Sequence, residues 1–267
     1  MVKASRTARP LGVILHRGIS PFDGSPYVVI MPLRKSKNSK TGTMLQTYII
    51  RSDMHPVVAV RKGADGSICN GCPMRGVVVR KNAKKRKHRT CYVNVGQGPA
   101  MVYKAFKRGR YVDYVPALHD RFLAGRKIRF GTYGEPVLIP LDVIRHLISV
   151  TAGWTGYTHQ WAMPAFSEYR QYLMASVHGQ TGPWSREHAK HLGWRTFRTT
   201  RDGKPADNEI LCPASEQAGK RLSCNTCNLC DGAGTRKAGL DLVDVYIPAH
   251  GGRAIMGAVN RLPVLQA

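Results

Sequence analysis

The chain has 267 residues, and its 41 Lys and Arg against 16 Asp and Glu give a formal net charge of +25. A chain of this length buries a sizeable core, so small size does not explain its seven cysteines. An excess of positive charge repels itself unless an anionic partner offsets it, and we expect that partner to be nucleic acid. We expect no membrane partner, because no segment approaches the roughly 20 apolar residues of a membrane span.

The first segment, MVKASRTARPLGVILHRG at residues 1–18, has basic residues but no long apolar stretch before a small-residue cleavage site. This pattern is not that of a secretory signal, so we expect a cytoplasmic protein. Thiols stay reduced in that compartment, and an odd number of cysteines does not pair off completely. Under these conditions CxxC spacing predicts metal ligation rather than disulfides.

Residues 1–95 predict a small, basic, β-rich region with strand-like segments at 27–33 and 43–50. A run of ten residues near its end, 80–89, includes seven Lys or Arg. One interpretation of this run is a solvated loop, and the other is phosphate contact without sequence readout. Basic segments elsewhere in the chain favour the second interpretation. The nucleic-acid-binding residues are then Arg80, Lys81, Lys84, Lys85, Arg86, Lys87 and Arg89.

Residues 96–267 predict a second domain, in which strand-like and helix-like segments alternate. The strand-like segments are 127–131, 155–161, 173–178, 194–200, 208–212 and 241–250, and the helix-like segments are 98–110, 115–125, 141–152, 164–173 and 185–193. Such alternation is typical of a parallel sheet with crossover helices. Five or six strands are fewer than the eight of a closed barrel. The predicted fold class is therefore α/β, either a partial βα barrel or an open, mostly parallel sheet, with cysteine-rich metal-binding loops.

Ligand sites of such folds lie at the carboxyl edge of the parallel strands. We expect polar residues that follow or end several strands to approach this edge. They are Glu135, Thr158, His159, Ser176, His178, Arg198 and His250. A single polar residue at the start of a loop has little weight, so only their convergence indicates a site.

The seven cysteines form a group of three and a group of four. These are Cys69, Cys72 and Cys91, and Cys212, Cys224, Cys227 and Cys230. Steps of three residues let successive thiolates converge on one centre, as in [4Fe–4S] ligation. Zinc sites more often consist of two CxxC pairs, so the CxxCxxC triplet with one remote cysteine favours a [4Fe–4S] cluster, with zinc as the alternative.

The first group leaves two interpretations open. If His88 joins it, the CxxC pair followed by HxxC matches a closed, structural zinc site beside the basic run. If His88 belongs only to the charged loop, three thiolates hold a [4Fe–4S] cluster and leave one iron open to an external ligand. An open position indicates chemistry, and a closed site indicates a scaffold.

The three early cysteines, the sequence YGEP at residues 133–136 after a strand, the βα repeats and the late cysteine-rich block together resemble the radical-SAM enzymes. The resemblance implies that the first cysteine group holds the cluster that binds S-adenosylmethionine, and that the second group holds an auxiliary cluster. It also implies that Gly134, Glu135 and Pro136 hold the cofactor's amino group. Two features depart from the family pattern. The basic run displaces Cys91 from the other two cysteines, and Tyr133 stands where the family has its first loop glycine.

The segments NSKTG, CYVNVGQGP and GYTHQW, with the late cysteines, also resemble uncharacterised cysteine-rich proteins of bacteriophages and mobile elements. That resemblance implies a cytoplasmic protein but no particular activity. Two hypotheses follow. The first is an iron–sulfur enzyme, similar to radical-SAM enzymes, that acts on or beside nucleic acid. The second is a non-catalytic nucleic-acid-binding protein whose zinc or iron–sulfur sites are structural.

Overall fold

A computed structural model describes residues 9–35, 38–76, 89–179, 184–200, 202–219, 222–233 and 243–249. The strands are β1 (Gly12–Ile19), β2 (Pro26–Pro32), β3 (Leu45–Arg51), β4 (Val112–Asp113), β5 (Lys127–Tyr133), β6 (Gly153–Thr158), β7 (Met174–Val177), β8 (Thr196–Thr200), β9 (Glu209–Leu211) and β10 (Asp244–Pro248). The α-helices are α1 (Pro56–Lys62), α2 (Gly66–Cys69), α3 (Gly98–Lys107), α4 (Pro116–His119), α5 (Leu141–Val150), α6 (Arg186–His191) and α7 (Cys224–Cys227). Short 3-10 helices lie at Pro73–Arg75, Asp120–Phe122, Pro136–Leu138, Pro164–Gln171 and Glu216–Ala218.

The strands form one open sheet in the order β4-β1-β2-β3-β5-β6-β7-β8-β10-β9. Strand β2 is antiparallel to its neighbours β1 and β3, and the other neighbouring pairs are parallel. Six parallel strands, β3, β5, β6, β7, β8 and β10, lie side by side in chain order. This is the stepwise order of a βα barrel that has not closed, and it brings the six carboxyl ends to one edge. The predicted fold class, an open and mostly parallel α/β sheet, is confirmed.

The strands predicted after residue 96 are all present, with ends shifted by a few residues. Strand β3 pairs with β5, so the predicted N-terminal region and the predicted βα domain contribute to one sheet. The segment 164–173, predicted as a helix, forms a 3-10 helix instead. Its backbone bonds span three residues, as from the Phe166 N–H to the Met163 carbonyl at 2.9 Å, which is the 3-10 pattern.

Two separate hydrophobic cores pack on opposite sides of β5. On one face, Ile128 and Phe130 of β5 pack in a large core that includes Ile144 and Leu147 of α5. Side chains of a strand alternate between faces, so Arg129 points to the other side. A smaller core on that side contains Met44, Met174, Val245 and Ile247 together with Cys212, Cys224 and Cys230. The late cysteines therefore pack against the sheet face opposite α5.

The helices begin at residues suited to their termini. Pro140 immediately precedes α5, whose buried Ile144 and Leu147 lie three residues apart on one face. The Ser185 hydroxyl begins α6 by accepting a hydrogen bond from the His188 N–H at 3.2 Å. Within the described ranges, no helix has the length and apolar character needed to cross a bilayer.

Candidate metal centres

The first cysteine group lies at the carboxyl edge of the parallel strands, beside residues that follow β5 and β6. We call this place the edge site and define it by Cys69, Cys72, Cys91, Glu135 and His159. Cys69 ends the short helix α2, and its carbonyl accepts a hydrogen bond from the Cys72 N–H at 3.0 Å. The Cys91 N–H donates to the Met74 carbonyl at 3.0 Å, which brings the third cysteine back to the same loop. The long insertion between Cys72 and Cys91 therefore does not separate them in space.

An ion pair and two amide side chains hold the loop between Cys69 and Cys72. Arg75 contacts the fully buried Asp65 at 3.0 Å and also donates to the Asn70 carbonyl. Asn70 has φ of +39°, a conformation that favours glycine. Its side chain donates to Gln160 Oε1 at 2.8 Å, and Gln160 Nε2 donates to the Cys69 carbonyl at 3.3 Å. Gln160, in the loop after β6, thereby fixes the cysteine loop against the sheet edge.

The Gly134–Glu135–Pro136 turn follows β5 and delivers a carboxylate to the edge site. Gly134 has φ of +81°, and a Cβ there would lie 2.7 Å from the Ile49 carbonyl oxygen, so this position requires glycine. The Glu135 N–H donates to the Ile68 carbonyl at 2.7 Å, next to Cys69. Pro136 begins a 3-10 helix and leaves the Glu135 side chain directed towards the loop after β6.

Glu135 is almost fully buried and accepts hydrogen bonds from two residues at the end of β6. Its Oε2 accepts from Thr158 Oγ1 at 2.7 Å and from the His159 N–H at 3.1 Å, and its Oε1 lies 3.3 Å from His159 Nδ1. Cys72 Sγ, a Glu135 oxygen and a His159 ring nitrogen all lie within 4.8 Å of one another. The edge site thus brings together a thiol, a carboxylate and an imidazole from three loops.

His178, which follows β7, extends this group by one more residue. His159 Nε2 lies 3.0 Å from His178 Nε2, and the two rings are nearly parallel. Burial works to lower the pKa of His159, but Cys72 and Glu135 raise it well above its usual value. Burial and the neighbouring His159 lower the pKa of His178 to about 3. His159 is thus placed between a thiol and a carboxylate on one side and a second imidazole on the other.

The thiols of the edge site are crowded by other acidic groups. Burial raises the pKa of Cys69 far above its usual value, and the nearby Cys72, Asp65, Glu135 and Cys91 raise it further. Such crowding opposes ionisation unless a cation is present, and a bound metal deprotonates a coordinating thiol outright. The buried hydroxyl of Tyr133, beside Cys69 and Cys91, has no hydrogen-bond partner among the described residues. A donor without a partner at this place fits an anionic ligand next to the cysteines.

The second cysteine group lies under the sheet, and we call it the C-terminal site. The Ser223 and Thr226 side chains form a capping box that begins α7 and places Cys224 and Cys227 on one turn. The Cys224 N–H donates to the Lys40 carbonyl at 2.8 Å, and the Cys230 carbonyl accepts from the Gly156 N–H of β6 at 3.0 Å. All four cysteines line one cavity, whose other lining residues are Thr155, Tyr157, Pro213, Ala214, Asn228, Leu229 and Val245.

The C-terminal site also has acidic groups that burial keeps neutral and a hydroxyl without a partner. Burial raises the pKa of Cys212, and the neighbouring Cys224 and Cys227 raise it further. Burial likewise raises the pKa of Cys230 far above its usual value. Within the described part of the chain, the buried Thr155 Oγ1 at the cavity wall has no hydrogen-bond partner. None of the seven cysteines forms a disulfide.

A tetrahedral zinc with Zn–S bonds of about 2.3 Å holds its sulfurs about 3.8 Å apart. No three cysteine sulfurs at either site are grouped within 4.8 Å, although all seven cysteines are in the part of the chain that the structure describes. The close group of potential metal ligands in that part of the chain is instead Cys72, Glu135 and His159.

Comparisons with protein-family models, with curated proteins and with solved structures found no match for this chain. The chemistry of the two sites is therefore inferred from the residues that form them.

Most of the predicted basic run lies outside the described residues. This applies to Arg80, Lys81, Lys84, Lys85, Arg86 and Lys87, and also to His88 and His250. Arg89 is described, and its side chain is only 18% exposed, with Nη1 3.9 Å from Asp65 Oδ2. Arg89 thus lies beside Asp65, which helps to hold the cysteine loop of the edge site. It is also the described member of the predicted phosphate contacts.

Thr158, His159 and His178 approach Glu135 as expected, but two other predicted edge residues do not. Arg198 lies inside β8, where its Nε donates to Glu209 Oε1 at 2.8 Å. Ser176 lies inside β7, and its carbonyl accepts from the Trp161 indole at 3.1 Å. Both side chains are buried and serve the core of the sheet.

Sequence analysis did not identify four residues that contact the two sites. Gln160 and Tyr133 support the edge site, and Arg129 and Tyr157 face the C-terminal site. Tyr133 and Gln160 are each within two residues of predicted site residues, so proximity in sequence was a usable signal. Arg129 and Tyr157 lie far from the cysteines in sequence. The pairing of β5 with β6 places these two residues on neighbouring strands.

Proposed function

We propose that the protein is an iron–sulfur enzyme similar to the radical-SAM enzymes, with its reactive centre at the edge site. The observation that carries the proposal is the meeting of Cys72 with Glu135, because these residues come from the loops after the first and second strands of the six-strand parallel series. The radical-SAM resemblance assigns the cluster and the cofactor's amino group to these two loops. The two parts of the sequence motif are thus adjacent, as the proposal requires.

The three cysteines and the carboxylate of the edge site each have a role in this proposal. Cys69, Cys72 and Cys91 would hold a [4Fe–4S] cluster, which supplies one electron to the sulfonium of S-adenosylmethionine at an open iron position. Glu135 would accept hydrogen bonds from the cofactor's ammonium group, and Thr158 orients that carboxylate. Arg75, through Asp65 and the Asn70 carbonyl, keeps the cysteine loop against the sheet edge.

The test is anaerobic purification of the full chain with iron, sulfide and zinc analysis, followed by incubation with dithionite and S-adenosylmethionine. We expect about eight irons per chain, as for two cubane clusters, and formation of 5′-deoxyadenosine and methionine. Cys91→Ala is the most informative variant, because Cys91 is the ligand displaced from the family spacing. It should lose about half of the iron and all cofactor cleavage. Zinc without iron in the wild-type chain would overturn the proposal.

A second candidate function is favoured by the close grouping of Cys72, Glu135 and His159. Three donors of this kind with an open fourth position match a catalytic zinc ion. The two functions differ in what His159 does, because only the zinc centre uses its nitrogen as a ligand. His159→Ala should lose one equivalent of zinc if this second function is correct, and should keep its iron if the edge site holds a cluster.

We further propose that the substrate is nucleic acid or is bound to it. The support is the net charge of +25, which is spread over the chain and needs an anionic partner. Affinity for duplex DNA and for RNA should then fall steeply with added salt, because bound lysines and arginines release phosphate counterions. Equal affinity at 50 mM and 200 mM salt would contradict this part of the proposal. A chain that binds nucleic acid but contains only zinc would be a non-catalytic binding protein.

A further inference from the structure

Arg129 is a partly buried cation that faces the C-terminal site. Among the described residues it forms no ion pair with a carboxylate. It lies in β5 opposite Thr155 of β6, on the sheet face that the late cysteines cover. Burial works to lower the pKa of Arg129, but Tyr157, Cys224 and Cys230 raise it above its usual value. The groups with the largest effect on the guanidinium are thus a phenol and two thiols, and the thiols become negative when a metal deprotonates them.

Other buried arginines of this chain contact carboxylates. Arg195 lies 2.9 Å from Asp231, Arg198 donates to Glu209, and Arg75 lies 3.0 Å from Asp65. Arg126 has no such contact in the described ranges, and burial and the nearby Arg9 lower its pKa to about 10. Arg129 differs from both cases, because its ionisable neighbours are a phenol and thiols rather than carboxylates. Its position fits a centre that becomes negative when metal binds.

Tyr157 connects Arg129 to the cysteines. The guanidinium lies 5.0 Å from the centre of the Tyr157 ring. Tyr157 in turn lines the same cavity as Cys212, Cys224, Cys227 and Cys230. A cation and a phenol thus lie next to the four proposed metal ligands. Thiolates bound to a metal accept hydrogen bonds from neighbouring donors, and such bonds tune the centre.

We propose that Arg129 and Tyr157 set the reduction potential of a [4Fe–4S] cluster held by Cys212, Cys224, Cys227 and Cys230. A nearby positive charge stabilises the more negative, reduced form of a cluster, and a hydrogen bond to a cluster sulfur acts in the same direction. The pair therefore makes the C-terminal site easier to reduce and suits it to passing electrons. The inference rests on the proposed function in one respect, because both assume that the cysteines hold iron–sulfur clusters.

The test measures the midpoint potential of the C-terminal cluster alone. The full chain carrying Cys69→Ala, Cys72→Ala and Cys91→Ala is reconstituted anaerobically with iron and sulfide, so that only the C-terminal site holds a cluster. Its reduction is followed by electron paramagnetic resonance during a redox titration. Arg129→Gln should shift the midpoint to lower potential, and Tyr157→Phe should shift it the same way by less. Arg129→Lys, which keeps the charge, should stay close to the parent. Arg145→Gln, which removes an exposed and remote charge, should match the parent.

Each outcome decides the inference. Loss of iron from Arg129→Gln with retention in Arg129→Lys would also support it, because the charge would then be needed to hold an anionic centre. An unchanged midpoint in Arg129→Gln with iron retained would overturn it, and so would loss of iron from both Arg129 variants. A parent chain without iron would overturn it too. Cleavage of S-adenosylmethionine by the wild-type chain is measured separately, so failure here and failure of the edge-site proposal are distinguishable.

Discussion

The edge site and the C-terminal site use the same kind of ligand in different surroundings. At the edge site, three cysteines meet a carboxylate and an imidazole at the open rim of the sheet. At the C-terminal site, four cysteines line a cavity against the face of the sheet, with Arg129 and Tyr157 as the charged and polar neighbours. Three thiolates leave a fourth ligand position available, whereas four thiolates occupy every position of a cubane. If both sites hold clusters as we propose, this difference assigns reaction chemistry to the rim and a structural or electron-transfer role to the site beneath the sheet.

The largest expected contrast comes from removing one cysteine at each site. Cys72→Ala should abolish formation of 5′-deoxyadenosine while the chain remains folded, because the edge site lies at the rim. Cys230→Ala should lower the free energy of unfolding, because metal binding at a site that joins separate segments is coupled to folding. Iron analysis, thermal unfolding followed by circular dichroism, and product analysis check both variants. Equal loss of stability in the two variants would contradict the division of roles.

The next effect concerns the arginine that holds the C-terminal loop. Arg195 is 2% exposed, contacts Asp231 at 2.9 Å and donates to the carbonyls of Leu229 and Gly232. Arg195→Met leaves the partly buried Asp231 without its partner and the Leu229 and Gly232 carbonyls without their donor, so the free energy of unfolding should fall by about 3–5 kcal/mol. Arg145→Met, at an exposed position, should change it by no more than about 0.5 kcal/mol. Denaturant unfolding measures both, and a small effect at Arg195 would show that the loop is held by other contacts.

A smaller effect is expected at the carboxylate of the edge site. Glu135→Gln keeps the shape of the side chain but removes its charge, and a hydrogen bond to a charged group contributes about 1.5–3 kcal/mol. Affinity for S-adenosylmethionine should then fall by about 10- to 100-fold, with iron content unchanged. Equilibrium binding measures this, and Glu168→Gln, at an exposed position, is the control. Loss of iron from Glu135→Gln would instead identify this carboxylate as a metal ligand.

The smallest effect is expected at Asn70, in the loop between Cys69 and Cys72. Two variants of this residue distinguish backbone strain from the loss of a side-chain contact. Asn70→Gly loses the hydrogen bond to Gln160 but adopts the positive φ without strain, whereas Asn70→Ala also has to bear that strain. The alanine variant should therefore be less stable than the glycine variant by about 1 kcal/mol. Denaturant unfolding of the two variants checks this. Equal stabilities would show that the loop relaxes to another conformation.

Sequence patterns were sufficient for the fold class and for the grouping of the cysteines. The alternation of strand-like and helix-like segments predicted an open parallel sheet, and placing Glu135 and His159 after successive strands predicted that both reach one edge. The contact of His159 with Cys72 was beyond prediction, because it depends on how the loop bends at Asn70. The role of Arg129 was also beyond prediction. A strand shows which residues share a face, but not which distant loop covers that face.

The Gly156 N–H of β6 donates to the carbonyl of Cys230, so a late segment of the polypeptide completes the pairing of a strand made much earlier. Ribosomes release the N-terminal end first. The face of the sheet that carries Arg129 and Tyr157 is therefore synthesised before the cysteines that cover it. A complete set of four sulfur ligands forms at this face only after Cys230 has left the ribosome.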